Sequence, residues 1–139
     1  MAKGTAMNKV MNKVLLVDDD EDLLFLIGEY LEAYGIKFDL AESAAQARKR
    51  LKYSEYDLII SDLNMPGESG FDLFRSVSSR YPELPFVLMS GNRDPRLRRE
   101  AVSMGICNFV EKPFLLSDLK RIITDLACVK PDAMGAPAA

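Results

Sequence analysis

Val14-Leu15-Leu16-Val17-Asp18-Asp19-Asp20 is an unbroken apolar run that turns abruptly into three acids. The run is short and does not alternate apolar with polar residues, which suits a strand covered on both faces. Short runs, most of them likewise without alternation, recur at residues 36–41, 58–60, 86–89 and 107–110, each bounded by polar residues, Gly or Pro. Segments of helical length lie between them. Leu23, Ile27, Tyr30 and Leu31 share a face of the first, and Ala44, Ala47 and Leu51 a face of the second. Phe71, Phe74, Val77 and Tyr81 mark the third, Leu97, Ala101 and Met104 the fourth, and Leu116, Leu119, Ile123 and Leu126 the fifth. Gly35 and Gly105 stand where the first and fourth should stop, and Pro82 and Pro85 bracket the exit of the third. Five strand–helix repeats with short connections predict an α/β fold of (βα)₅ type. Its parallel sheet is wrapped on both faces, because right-handed crossovers place helices on either side.

Composition narrows the function. The 139 residues, 48% hydrophobic and 28% charged, make one domain, able to bury roughly two-thirds of the surface of its unfolded chain. A net charge of −3 gives no global positive field, so neither nucleic acid nor an anionic membrane is expected as a direct partner. The chain has no histidine. That removes Ser-His-Asp and Cys-His nucleophile pairs, histidine metal sites and a phosphohistidine carrier together. Cys107 and Cys128 form no CxxC. The longest apolar stretch, residues 23–27, is far below the ~20 residues that span a bilayer. A soluble cytoplasmic protein is expected. Residues 1–12, in which Met7-Asn8-Lys9-Val10 is repeated as Met11-Asn12-Lys13-Val14, read as a leader. Residues 13–129 read as the folded domain, and residues 130–139, rich in Ala, Pro and Gly, as a tail or the start of a linker.

Open α/β sheets bind ligands beyond the carboxyl ends of their strands. At that edge the sequence places Asp18-Asp19-Asp20, Ser61-Asp62 with Leu63-Asn64-Met65-Pro66-Gly67, Ser90-Gly91-Asn92 and Glu111-Lys112-Pro113. Ala41-Glu42-Ser43 reads only as a helix cap. Taken singly, each of the others has an ordinary reading too: Asp18 to Asp22 as a cap and acidic first turn, Asp62 as a turn residue. Ser90 alone is a loop hydroxyl, Lys112 a solvated amine and Phe109 a core residue. Their convergence on one rim points to a site.

The chemistry of that rim follows from charge. Two carboxylates ~4 Å apart repel by about 4 kcal/mol at an effective dielectric near 20. A cluster of Asp18, Asp19 and Asp62 therefore calls for a hard divalent cation, and Mg²⁺ suits one or two carboxylates with retained water and a phosphate oxygen. Asp19, Asp62 and the Asn64 backbone carbonyl are the candidate direct ligands, with Asp18 acting through bound water. Carboxylate, Mg²⁺, hydroxyl and ammonium together describe phosphoryl transfer. Asp62 is then the nucleophile, and Lys112 and the Ser90 hydroxyl offset charge on the phosphoryl oxygens.

Leu15-Leu16-Val17-Asp18-Asp19-Asp20, Asp57-Leu58-Ile59-Ile60-Ser61-Asp62-Leu63-Asn64-Met65-Pro66-Gly67 and Phe109-Val110-Glu111-Lys112-Pro113-Phe114 resemble the receiver domain of bacterial response regulators. The resemblance covers residues from about Lys13 to Leu126, with Ser90 between the last two blocks. It implies a flavodoxin-like, three-layer sandwich with strand order 2-1-3-4-5. It also implies Asp62 as phosphoacceptor from a histidine kinase or phosphotransfer protein, and Asp18 and Asp19 as the acidic pair. Lys112 becomes the phosphate-sensing lysine before Pro113, and Ser90 and Phe109 become the switch residues. Phe109 lacks the hydroxyl of the tyrosine common there. The resemblance further implies a downstream protein or a separate output domain, and a monomer or weak dimer through the fourth and fifth helices and fifth strand. Arg93, Arg96, Arg98 and Arg99 cluster near the fourth helix, as a solvated face or a partner surface.

Two other readings exist: a Mg²⁺-dependent aspartyl-phosphate phosphatase, and a degenerate, unphosphorylated interaction module. Against the first, the double-Asp motif comes early, Asn64 stands where a general acid is needed, and no cap insertion is present.

Overall fold

In the computed structural model, which describes residues 13–106 and 108–128, the chain forms five parallel strands and five helices. They follow in the order β1 Val14–Val17, α1 Glu21–Ala33, β2 Phe38–Ala41, α2 Ala44–Tyr53, β3 Leu58–Asp62, α3 Gly70–Arg80, β4 Phe86–Ser90, α4 Pro95–Met104, β5 Asn108–Glu111 and α5 Leu116–Cys128. The sheet order is β2-β1-β3-β4-β5. The readings of residues 1–12, of the tail and of Cys107 lie outside the described residues. Among the described residues no helix is long and apolar enough to cross a membrane.

The unbroken apolar runs are explained by two cores, one on each face of the sheet. Successive side chains of a strand point to opposite faces. In β1, Val14 and Leu16 pack with Leu24, Ile27 and Leu31 of α1 and Leu119 and Ile123 of α5. Leu15 and Val17 pack the other way, with Ala47 of α2, Phe71, Leu73 and Val77 of α3 and Ala101 of α4. A strand buried on both sides cannot slip by one residue without exchanging its two core faces, so the register is firmly set. The acids that follow each run are thereby fixed in place.

Boundaries differ from the sequence reading where local hydrogen bonds compete. Ile36 N donates to Leu31 O, closing α1 behind Gly35, so β2 begins at Phe38 instead of residue 36. Both β3 and β4 run past their apolar residues. Asp62 pairs in register with Met89, and Ser90 with Glu111. In α1 the buried face is Leu24, Ile27, Gly28 and Leu31, with Leu23 and Tyr30 half-buried. Gly28 lets the Phe38 ring pack close to α1: a Cβ there would lie 2.8 Å from the ring, which would have to shift.

The other close approach lies beneath the carboxyl edge. A Cβ on Gly70 would stand 2.5 Å from the Asp62 carbonyl oxygen and 2.7 Å from Leu88 Cδ1. Gly70 N donates to Leu63 O at 2.8 Å, so α3 starts directly against the end of β3. Ser69 and Asp72 form a reciprocal capping box at this start. The intervening loop is held from outside by Arg48 of α2, whose two terminal nitrogens donate to the two carboxylate oxygens of Glu68 at 2.7 and 2.8 Å. Gly70→Ala is expected to lower stability by about 1–3 kcal/mol, although alanine favours helix, and to perturb the amide signals of Asp62 and Leu63. Urea unfolding and NMR check it; a stability gain would contradict the packing described.

Candidate functional site

The first strand delivers its acids in two directions. Asp20 caps α1, its side chain accepting from Leu23 N at 3.1 Å, and Glu21 and Asp22 complete an acidic first turn. The ordinary reading of this run is therefore correct from Asp20 onward. Asp18 turns inward instead. It is 1% exposed, its Oδ1 accepts from Asp20 N at 3.0 Å, and its Oδ2 meets Lys112 Nζ at 2.9 Å. Asp19 remains exposed at the rim.

Asp62, at the end of β3, is 6% exposed, and its Oδ1 lies 3.1 Å from the same Lys112 Nζ. One carboxylate oxygen from each of Asp18, Asp19 and Asp62 lies within 4.8 Å of the others. Lys112 is carried into place by the backbone: Lys112 N donates to Ser90 O at 2.8 Å, extending the β4–β5 pairing by one residue, and the following Lys112–Pro113 peptide is cis. A lone ammonium thus faces two buried carboxylates and a third at the mouth.

The charge imbalance is visible in the titration of Asp62, whose carboxyl is pushed up to about 6. Burial is the leading cause; the charges of Asp18 and Asp19 add to it, and Lys112 opposes it. For Lys112 burial disfavours the ammonium, but the contacts to Asp18 and Asp62 outweigh it and hold the group above its ordinary value. Three hard oxygen donors with surplus negative charge are a donor set that fits Mg²⁺, whereas no thiolate or imidazole is in the cluster to favour a soft metal.

The remaining predicted residues stand around this cluster. Ser90 is fully buried at the end of β4, its Oγ accepting from Asn92 N at 3.0 Å. Asn64 is exposed in the loop after β3. Phe109 is buried in the core shared by α2, α3 and α4. Two features escaped the sequence reading. Gly70 had a weak signal, the Ser69-Gly70-Phe71-Asp72 capping pattern. The ties between α4 and β5 had none: Glu111 pairs with both Arg93 and Arg98, while Arg96 closes back on Asp94.

Comparison with known proteins agrees with this geometry. Residues 14–124 match the response regulator receiver domain family, and the chain belongs to it. A response regulator receiver protein from Pseudomonas putida superposes with a TM-score of 0.79 at 30% identity, covering 84% of this chain and 98% of that one. The response regulator TrrA from Thermotoga maritima, in complex with Mg²⁺ and BeF, superposes at 0.75 with 28% identity, covering 84% and 99%. Among sequence relatives, the C4-dicarboxylate transport transcriptional regulatory protein DctD of Rhizobium meliloti is 36% identical over 101 residues, 73% of this chain and 22% of the relative. Protein PetR of Rhodobacter capsulatus is 32% identical over 123 residues, 88% of this chain and 52% of the relative. The chain thus spans between about a fifth and a half of these curated relatives' length. It is a receiver domain of two-component signalling.

The raised value of Asp62 has a signed consequence for stability. The folded value, about 6, lies above the unfolded one near 3.9. Its contribution is therefore fully present below about pH 4 and is lost as pH rises through about 6. Asp62→Asn is expected to raise unfolding free energy by about 1–2 kcal/mol near pH 7.5, with allowance for solvent screening at the mouth, and by little near pH 4. Urea titrations at both pH values check it. A variant destabilised at neutral pH would speak against crowding.

Proposed function

We propose that this chain is a phosphorylation-driven signalling switch in which Asp62 accepts a phosphoryl group from a phosphohistidine on a partner histidine kinase or phosphotransfer protein. The observation that carries the proposal is the buried Asp62 carboxylate, 3.1 Å from Lys112 Nζ and grouped with Asp18 and Asp19. The chain has no histidine of its own, so the donor supplies that group.

In the transfer an Asp62 carboxylate oxygen attacks phosphorus. The P–N bond of the donor breaks, and its electron pair returns to the imidazole nitrogen. Asp19, Asp62 and the Asn64 carbonyl are the residues to hold Mg²⁺ directly, with Asp18 through water. When bound, the ion supplies positive charge against the phosphoryl oxygens. Lys112 meets a second oxygen and the Ser90 hydroxyl a third. The ionised form of Asp62 is the nucleophile; in the metal-free site it is disfavoured below about pH 6, and a bound cation would favour it.

Phosphorylation adds about −1.5 to −2 charge at Asp62. Lys112 and Ser90 are drawn toward it, the loop after β4 follows, and Phe109 repacks. The surface of α4, β5 and α5 then differs for a downstream protein or for an output domain of a longer chain. The switch needs no membrane or nucleic-acid contact by this domain, and works in the cytoplasm as a monomer or a weak dimer through that surface. The DctD relative is a transcriptional regulatory protein, which makes an output domain of that kind a candidate.

Incubation with acetyl phosphate and Mg²⁺ is expected to add one phosphoryl mass that Asp62→Asn does not acquire; an equal gain in the variant would end the assignment. Millimolar Mg²⁺ alone is expected to raise the melting temperature, because it relieves the carboxylate cluster. No rise in calorimetry would contradict the metal site.

A further inference from the structure

Arg98 makes three contacts with β5 at once. Its Nη2 donates to Glu111 Oε2 at 3.3 Å, its Nη1 donates to the Phe109 carbonyl oxygen at 3.4 Å, and its guanidinium carbon lies 4.9 Å from the centroid of the Phe109 ring. Arg93, in the loop before α4, holds the other oxygen of Glu111 at 3.4 Å. Individually these are weak, because exposed ion pairs are screened by water. Their convergence is what matters. A planar fork can donate in two directions while its face covers a ring, which a lysine ammonium cannot do.

The position of these contacts gives them a role. The apolar seat of α4 is thin: Ala101 is its one buried residue, with Leu97 and Met104 half-buried against the same core, whereas α3 buries four. Glu111 precedes Lys112 in the chain, and Lys112 bridges Asp18 and Asp62. The strand that carries the site's ammonium is therefore the strand to which α4 is tied.

We propose that Arg98 is a positioning residue that latches α4 onto β5 in the free protein and so sets how readily occupancy of the Asp62 site reaches α4. This rests on the phosphoacceptor reading above. An interaction made in the free state and released in the occupied state lowers affinity for whatever fills the site; removing it raises that affinity.

The test uses beryllofluoride with saturating Mg²⁺ as the phosphoryl mimic, on the full chain, Arg98→Ala, Arg98→Lys and Arg75→Ala. The last removes an equal charge from an exposed ion pair on α3. In Arg98→Ala, α4 amides are expected to exchange about three- to tenfold faster in the free protein, with half-saturation by beryllofluoride at about threefold lower concentration. Arg98→Lys should fall between Arg98→Ala and the unaltered protein, and Arg75→Ala should match the latter. Faster α4 exchange with unchanged half-saturation would leave Arg98 a packing contact and overturn the proposal, as would unchanged exchange. A full chain indifferent to beryllofluoride would overturn the Asp62 reading itself, and the latch's coupling with it.

Discussion

Everything at the carboxyl edge depends on one unfavourable arrangement: two buried carboxylates and one ammonium held where there is little water to screen them, with a third carboxylate at the mouth. Left to themselves Asp18 and Asp62 would separate. They stay because each is anchored to a strand whose register two hydrophobic cores enforce. The fold's apolar burial opposes the local repulsion, and desolvation together with the neighbouring carboxylates leaves Asp62 with an elevated titration and the site with an appetite for positive charge. Lys112 relieves part of it and is therefore poised to follow any new charge that arrives.

The means of delivery is equally physical. Parallel strands need helical crossovers, helices on both faces require strands apolar on both sides, and polar residues take over where the apolar runs stop. Asp18, just after β1, and Asp62, the last residue of β3, are thus brought side by side, although more than 40 positions separate them in the chain. Lys112 arrives from a strand two places away from β3, and its long stem spans the gap across β4's end.

This also explains what could be read in the sequence. Fold class, element order and the four central site residues were legible because they rest on apolar periodicity and on polar residues at run ends. The helix face of α1 was legible only in part, since Gly28 is buried for a reason found on Phe38, far along the chain. Residues 36 and 37 looked like strand because their apolar neighbour continues the run, while a helix-closing hydrogen bond claims Ile36. Gly70 and the arginine ties to Glu111 depend on distances between elements, and no one-dimensional pattern carries those. The Asp18–Asp22 run held two roles in consecutive residues, a cap and a pocket wall, and only the backbone turn at Asp20 separates them.

The seam at Gly70 makes two neighbouring helices on one face of the sheet mechanically unequal. On one side α3 is seated against β3 without room for a methyl group, and Arg48 clamps the adjoining loop through Glu68. On the other, α4 is seated by one buried alanine, the half-buried Leu97 and Met104, and a few solvent-washed arginine contacts. A strain arising at the Asp62 edge therefore meets stiffer resistance from α3 than from α4, an asymmetry set in large part by a glycine that is not itself among the site residues.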